Sequence, residues 1–159
     1  MTKTMRDPTN HSRRQFLALS GAAAAAMVTS PPAEATPAAM ASAMRDVTGA
    51  AVVRAGRVKL DVPPLVENGN TVPLTVTVES PMTASDHVRA IHVFNEKNPQ
   101  PHVFDARLSP NNGKAMVGTR IKLADAQKVV AIAETSKGEF FSASADVIVT
   151  IAACIEDIT

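Results

Sequence analysis

Beyond Thr48 the residue pattern of this chain is strand-like alternation and not a helical period, and that restricts its fold more than any other feature. Leu74, Val76 and Val78 alternate with Thr75, Thr77 and Glu79. Successive side chains of a strand point to opposite faces, so this run reads as a strand with one buried face. Val88 to Phe94, Lys114 to Lys122, Lys128 to Glu134 and Phe140 to Ile151 are rich in β-branched residues and read as further strands. Arg57 to Val62 and His102 to Leu108 are two further candidates. Turn signals stand between them: Glu67-Asn68-Gly69-Asn70, Asn98-Pro99-Gln100-Pro101, Ser109-Pro110-Asn111-Asn112-Gly113 and Ser136-Lys137-Gly138. About seven short strands at this spacing predict an all-β fold, an immunoglobulin-like antiparallel β-sandwich.

The chain has five Phe, no Trp and no Tyr, so its core must be built mainly from Val, Ile, Ala and Leu. On the strand from Val88, Phe94 shares a parity with His92, Ala90 and Val88, while Ile91 and Val93 take the other face. Both faces are partly apolar. That predicts a central strand, or one covered by a partner subunit.

The first 35 residues read as a leader. His11-Ser12-Arg13-Arg14-Gln15-Phe16-Leu17 is followed by the apolar stretch Leu17 to Val28 and by small residues. A basic segment, a short apolar segment and a small-residue cleavage site make a secretory signal. The pair Arg13 and Arg14 fits the twin-arginine type, which exports folded proteins to the periplasm. The apolar stretch is shorter than the roughly 20 residues a membrane span needs. Ala33-Glu34-Ala35 is the best cleavage candidate and Ala41-Ser42-Ala43 a second. The expected organisation is a signal over 1–35, a flexible or short helical lead over 36–50, a β-sandwich over 51–151 and a tail over 152–159. Removal of the leader takes away Lys3, Arg6, Arg13 and Arg14 with Asp7 and Glu34, which turns the whole-chain net charge of +1 into −1. No basic patch remains to attract a phosphate backbone, which argues against nucleic-acid binding.

Cys154 is the only cysteine. In an oxidising compartment it has no internal partner, so it reads as a reactive thiol, an intermolecular link or an inert buried hydrophobe. A blue-copper site would need a His and usually a Met close to the Cys, and Ile155-Glu156-Asp157-Ile158-Thr159 offers neither. A Cys–His hydrolase needs the thiol fixed beside an imidazole, and a cysteine near the chain end is poorly held for that. His87 and His92 lie five apart and would point to opposite faces of one strand. No His pair has a metal-ligand spacing such as H-x-H or H-x-x-x-H. His92 therefore reads as a structural histidine, Asn95-Glu96-Lys97-Asn98 as a solvated loop and Arg120 as an outward-facing surface residue. No metal, cofactor or catalytic site is expected. A thiol near the chain end is instead suited to carrying a load to another protein's active site.

Val78-Glu79-Ser80-Pro81-Met82-Thr83, HVRAIHVFNEKNPQP (87–101), TRIKLADAQKVVAIAETSKGEFF (119–141) and VIVT ahead of a single terminal Cys together resemble SoxY. SoxY is the sulfur-carrying subunit of the bacterial periplasmic thiosulfate-oxidising (Sox) system. The likeness covers roughly Val72 to Cys154, and the twin-arginine leader fits it. The resemblance implies an immunoglobulin-like domain that pairs with a second small β-protein, SoxZ. It implies that Cys154 takes up thiosulfate as an S-thiosulfonate adduct. It also implies partner enzymes, of the c-type cytochrome and hydrolase kinds, that release sulfate and oxidise the remaining sulfur. The family's usual tail is Gly-Gly-Cys-Gly-Gly, an arm of wide backbone freedom. Here the tail is Ala152-Ala153-Cys154-Ile155-Glu156-Asp157-Ile158-Thr159. The alanines stiffen it, and Glu156 and Asp157 disfavour a thiolate and oppose an anionic cargo. Two other readings stand beside the carrier. One is a SoxY-like interaction module whose carrier chemistry is lost or altered. The other is a metal-handling periplasmic β-protein using Met and His.

Overall fold

The computed structural model describes residues 36–151. One helix, α1 (Pro37–Thr48), precedes nine strands: β1 (Val53–Ala55), β2 (Val58–Asp61), β3 (Leu65–Asn68), β4 (Val72–Val78), β5 (Val88–Asn95), β6 (His102–Arg107), β7 (Ala115–Ile121), β8 (Gln127–Thr135) and β9 (Phe140–Ile151). The seven strands read from the sequence are all present. β1 and β3 are additional. They are three and four residues long, too short to carry a readable period. Glu67 and Asn68 therefore belong to a strand, and the turn falls on Gly69 and Asn70.

The strands form two sheets. One has the order β2-β4-β7 and is antiparallel throughout. The other has the order β1-β9-β8-β5-β6, antiparallel from β9 to β6. The far edge of β9 is shared by two short parallel partners, β1 along Phe140 to Ser142 and β3 along Ile148 to Ile151. A single long strand can take both because each covers only a few of its residues.

β4 shows how alternation becomes packing. Val72, Leu74, Val76 and Val78 are buried and the residues between them are not. They meet Val88, Ile91, Val93, Val129, Ala131, Ala133 and Val147 from the larger sheet in one continuous core. The opposite face of that sheet is also covered. Phe94, Val130, Ile132 and Phe140 pack with Met40, and Ala43, Met44 and Val47 of α1 lie against them. Met40, Ala43, Met44 and Val47 stand at i, i+3, i+4 and i+7, one stripe of a helix. β5 is thus central, and it is α1 of the same chain that covers its second face.

The helix is bounded by local chemistry. The Thr36 hydroxyl accepts a hydrogen bond from the Ala39 N–H at 3.1 Å, Pro37 takes the first helical position, and the Gly49 N–H donates to the Arg45 carbonyl at 2.7 Å. Gly49 has φ +59°, a left-handed conformation that favours glycine at a helix end.

Of the expected solvated loop over 95–98, Asn95 instead closes β5 and is fully buried, while 96–98 form the turn, with Lys97 exposed but its neighbours anchored. The Asn98 side-chain oxygen accepts from the Ala124 N–H and the Gln127 amide, both at 3.0 Å, while its amide donates to the Lys122 carbonyl at 2.8 Å. The Lys97 N–H donates to Gln127 Oε1 at 2.7 Å. The β5–β6 turn is therefore tied to the approach to β8. Leu74 is 2% exposed at the centre of the inter-sheet core. Leu74→Ala is expected to cost about 2–5 kcal/mol, read as a lower urea midpoint with an unchanged slope.

Candidate functional site

Cys154, Arg13 and Arg14 lie outside the described residues. The chain places Cys154 three residues beyond the end of β9. Among the described residues, the structure gathers chemistry at one other place, where β5 pairs with β6.

His92 and Asp105 are direct cross-strand partners. His102 precedes Asp105 by three positions, and in a regular strand those two side chains would point to opposite faces. A register shift removes the conflict. Val93 pairs with Phe104 and Phe94 with His102, so Val103 is an extra residue, a β-bulge. The bulge reverses the parity of β6 between His102 and Phe104. His102 then shares a face with Asp105, and both share the face of His92 and Phe94.

The result is a compact group. Asp105 Oδ1 lies 2.5 Å from His92 Nδ1 and 2.6 Å from His102 Nε2. The His102 ring stacks on Phe94, with centroids 4.7 Å apart and planes at 23°. His92 is nearly buried, with 10% of its side chain exposed, while His102 and Asp105 expose 35% and 43%. His92 Nε2 is buried and has no hydrogen-bond partner among the described residues. Burial pushes the Asp105 carboxyl up, but the hydrogen bonds from His92 and His102 outweigh it and hold the carboxyl below its ordinary value. His92, Asp105, Arg89 and Glu134 border a cavity of about 70 Å³, and Arg89 pairs with Glu134 at 3.2 Å.

The three residues offer two imidazole nitrogens and a carboxylate oxygen within 4.8 Å of one another. Spacing rules could not find this group, because it is assembled across two strands through a bulge. The usable signal was weaker: His102 and Asp105 on a strand neighbouring that of His92. His87 stands apart, its Nδ1 3.1 Å from the Thr83 carbonyl. Arg120 is exposed on β7.

A family model described as sulfur oxidation protein SoxY matches residues 44–154, and a twin-arginine translocation signal matches residues 10–30. Among solved structures, the chain is similar to the sulfur carrier protein SoxY from Chlorobium limicola f thiosulfatophilum. That match has 24% identity and a TM-score of 0.61 over 73% of this chain and 100% of that one. It is also similar to a superoxide reductase (neelaredoxin) from Ignicoccus hospitalis, at 18% identity and TM-score 0.53 over 59% of this chain and 80% of that one. A superoxide reductase from Nanoarchaeum equitans matches at 13% identity and TM-score 0.51 over 60% and 100%. At these identities the structural likeness is one of fold. A search of curated proteins found no match.

The Asp105 carboxyl titrates lower in the folded protein than the unfolded value of about 3.9. Its contribution to stability is fully present above that value and is lost as pH falls through the folded value. In Asp105→Asn the loss of stability below about pH 4 should be shallower than in the parent. Thermal melts from pH 2 to 7 check this, and parallel acid limbs in the two proteins would contradict it.

Proposed function

The chain belongs to the SoxY family of sulfur oxidation proteins, and on that premise we propose that it carries sulfur as a covalent adduct of Cys154 and presents it to partner enzymes. The twin-arginine signal directs it to the periplasm. Among the described residues, no helix is long and apolar enough to cross a membrane. The observation that carries the reading is that the family match, 44–154, closes on Cys154, the only thiol of the chain.

The chemistry is a loading step followed by a release step. On loading, the thiol loses its proton and its sulfur bonds to the outer sulfur of thiosulfate. Two electrons leave to an oxidant of the c-type cytochrome kind. On release, water attacks the sulfonate sulfur and the bond from that sulfur to the sulfane sulfur breaks. Sulfate and a proton depart, and a persulfide remains on Cys154. A hydrolase-type partner serves this second step. The chain itself supplies the thiol and its delivery, not a catalytic site.

The partner subunit in this reading is a SoxZ-like β-protein. The edge of the larger sheet at the end of β9 supports a docking role. Leu65 of β3 and Ile148 of β9 are direct neighbours, and each is 59% exposed. Paired exposed apolar side chains on a sheet are more readily explained by a protein contact than are scattered ones. The same pair supports the second reading, an interaction module without carrier chemistry. That reading draws on the tail as well, which lacks the family's glycines and adds Glu156 and Asp157 after the thiol.

Intact-mass measurement separates the two readings. After incubation with thiosulfate and an oxidising Sox partner fraction, the exported chain should gain a reductant-labile mass that maps to Cys154. Cys154→Ala should lose the gain and keep its fold. An unmodified thiol, where a Gly-Gly-Cys-Gly-Gly carrier loads in parallel, would give the interaction module the lead. For docking, Leu65→Asp should weaken co-elution with the SoxZ-like subunit by at least about tenfold without changing the circular-dichroism spectrum.

A further inference from the structure

We propose that His92, His102 and Asp105 form a binding site for a divalent first-row transition cation. The site is independent of the carrier reading, since none of the three residues belongs to the tail.

The donor set is the first reason. Two imidazoles and one carboxylate suit zinc and its neighbours, and three protein ligands leave at least one position for water. The ligand atoms are already convergent, all within 4.8 Å of one another. They touch as hydrogen-bond partners at 2.5 and 2.6 Å. A cation with ligand bonds of about 2.0–2.2 Å needs them slightly further apart. His102 and Asp105 are partly exposed and can yield that distance, while His92 is held in place by burial.

Preorganisation is the second reason. The cross-strand register fixes His92 opposite Asp105, and the bulge at Val103 turns His102 onto the same face. Stacking on Phe94 orients the His102 ring. A bulge that re-aims one side chain into a cluster is a recurrent device at functional sites.

The proton balance also closes. In the hydrogen-bonded state each imidazole donates a ring N–H to the Asp105 carboxylate. A cation taking those nitrogens moves each ring proton to the other nitrogen, and the carboxylate oxygen becomes the third ligand. For His92 that other nitrogen is Nε2, buried and without a partner among the described residues. A ligating histidine commonly donates its second nitrogen to a carboxylate or water, and for Nε2 of His92 that takes a small shift of the ring toward the neighbouring cavity bordered by Arg89, Arg107 and Glu134. Among charged groups nearby, Arg89 is paired with Glu134, Arg107 borders the same cavity, and Asp46 of α1 shares a surface hollow with His102.

The test uses the exported chain, purified without an affinity tag and carrying Cys154→Ser to remove the competing thiolate. Titration with zinc(II) by calorimetry, and with cobalt(II) by visible absorption, should give one equivalent bound. Adding His102→Ala should weaken binding by at least about tenfold, and adding His87→Ala should not change it. If His102→Ala fails to fold, Asp105→Ala takes its place. Absence of stoichiometric binding overturns the proposal. So does binding that survives loss of His102 or Asp105 in a folded protein. In either case the group is only a hydrogen-bonded clamp across the bulge.

Discussion

The pairing of β5 with β8 supports the rest of the molecule, because both strands are buried on both faces. Ile91, Val93, Val129, Ala131 and Ala133 point to the second sheet, while Phe94, Val130 and Ile132 point to α1. A sheet with two covered faces needs a third layer, and the 12-residue helix supplies it with one apolar stripe. The remaining strands are arranged around this pair. β6 and β9 flank it, β4 brings the smaller sheet over the inner face, and the 96–101 turn is pinned to the residues leading into β8.

The same burial explains why polar residues on β5 are so constrained. A buried imidazole must be hydrogen-bonded or it is costly, and Asp105 answers that need for His92 from the next strand. The bulge then allows one carboxylate oxygen to serve a second imidazole. A structural requirement, satisfying His92, thereby produces a convergent donor set at the partly exposed edge of the sheet. The group depends on an extra residue in β6 and not on any spacing within one strand.

The carrier reading and the donor cluster occupy different parts of the chain. β9, the longest strand, ends at Ile151, and the thiol follows it in sequence. Its outer edge at that end is capped by the short parallel strand β3, which presents Leu65 beside Ile148. An apolar pair at the end of β9 suits a subunit that binds a partner, and in the proposed reading the sulfur chemistry is divided between Cys154 and other proteins.

Much of this was legible in the residues. The alternation in β4 reported its buried face directly, because a half-buried strand writes its environment into a period of two. The segments from Val72 onward and the lone Cys154 pointed to the family, and Arg13 and Arg14 to the export route. The short strands β1 and β3 were not legible, since three or four residues carry no period and their pairing with β9 is a long-range choice. Nor was it legible that α1 covers β5, because an apolar second face is the same in sequence whether a helix or a subunit packs on it. The sequence by itself determined seven of the nine strands and the export route, both of which are encoded locally. Only the tertiary structure decided the meeting of His92, His102 and Asp105, because cross-strand register and one bulged residue, Val103, determine which side chains share a face.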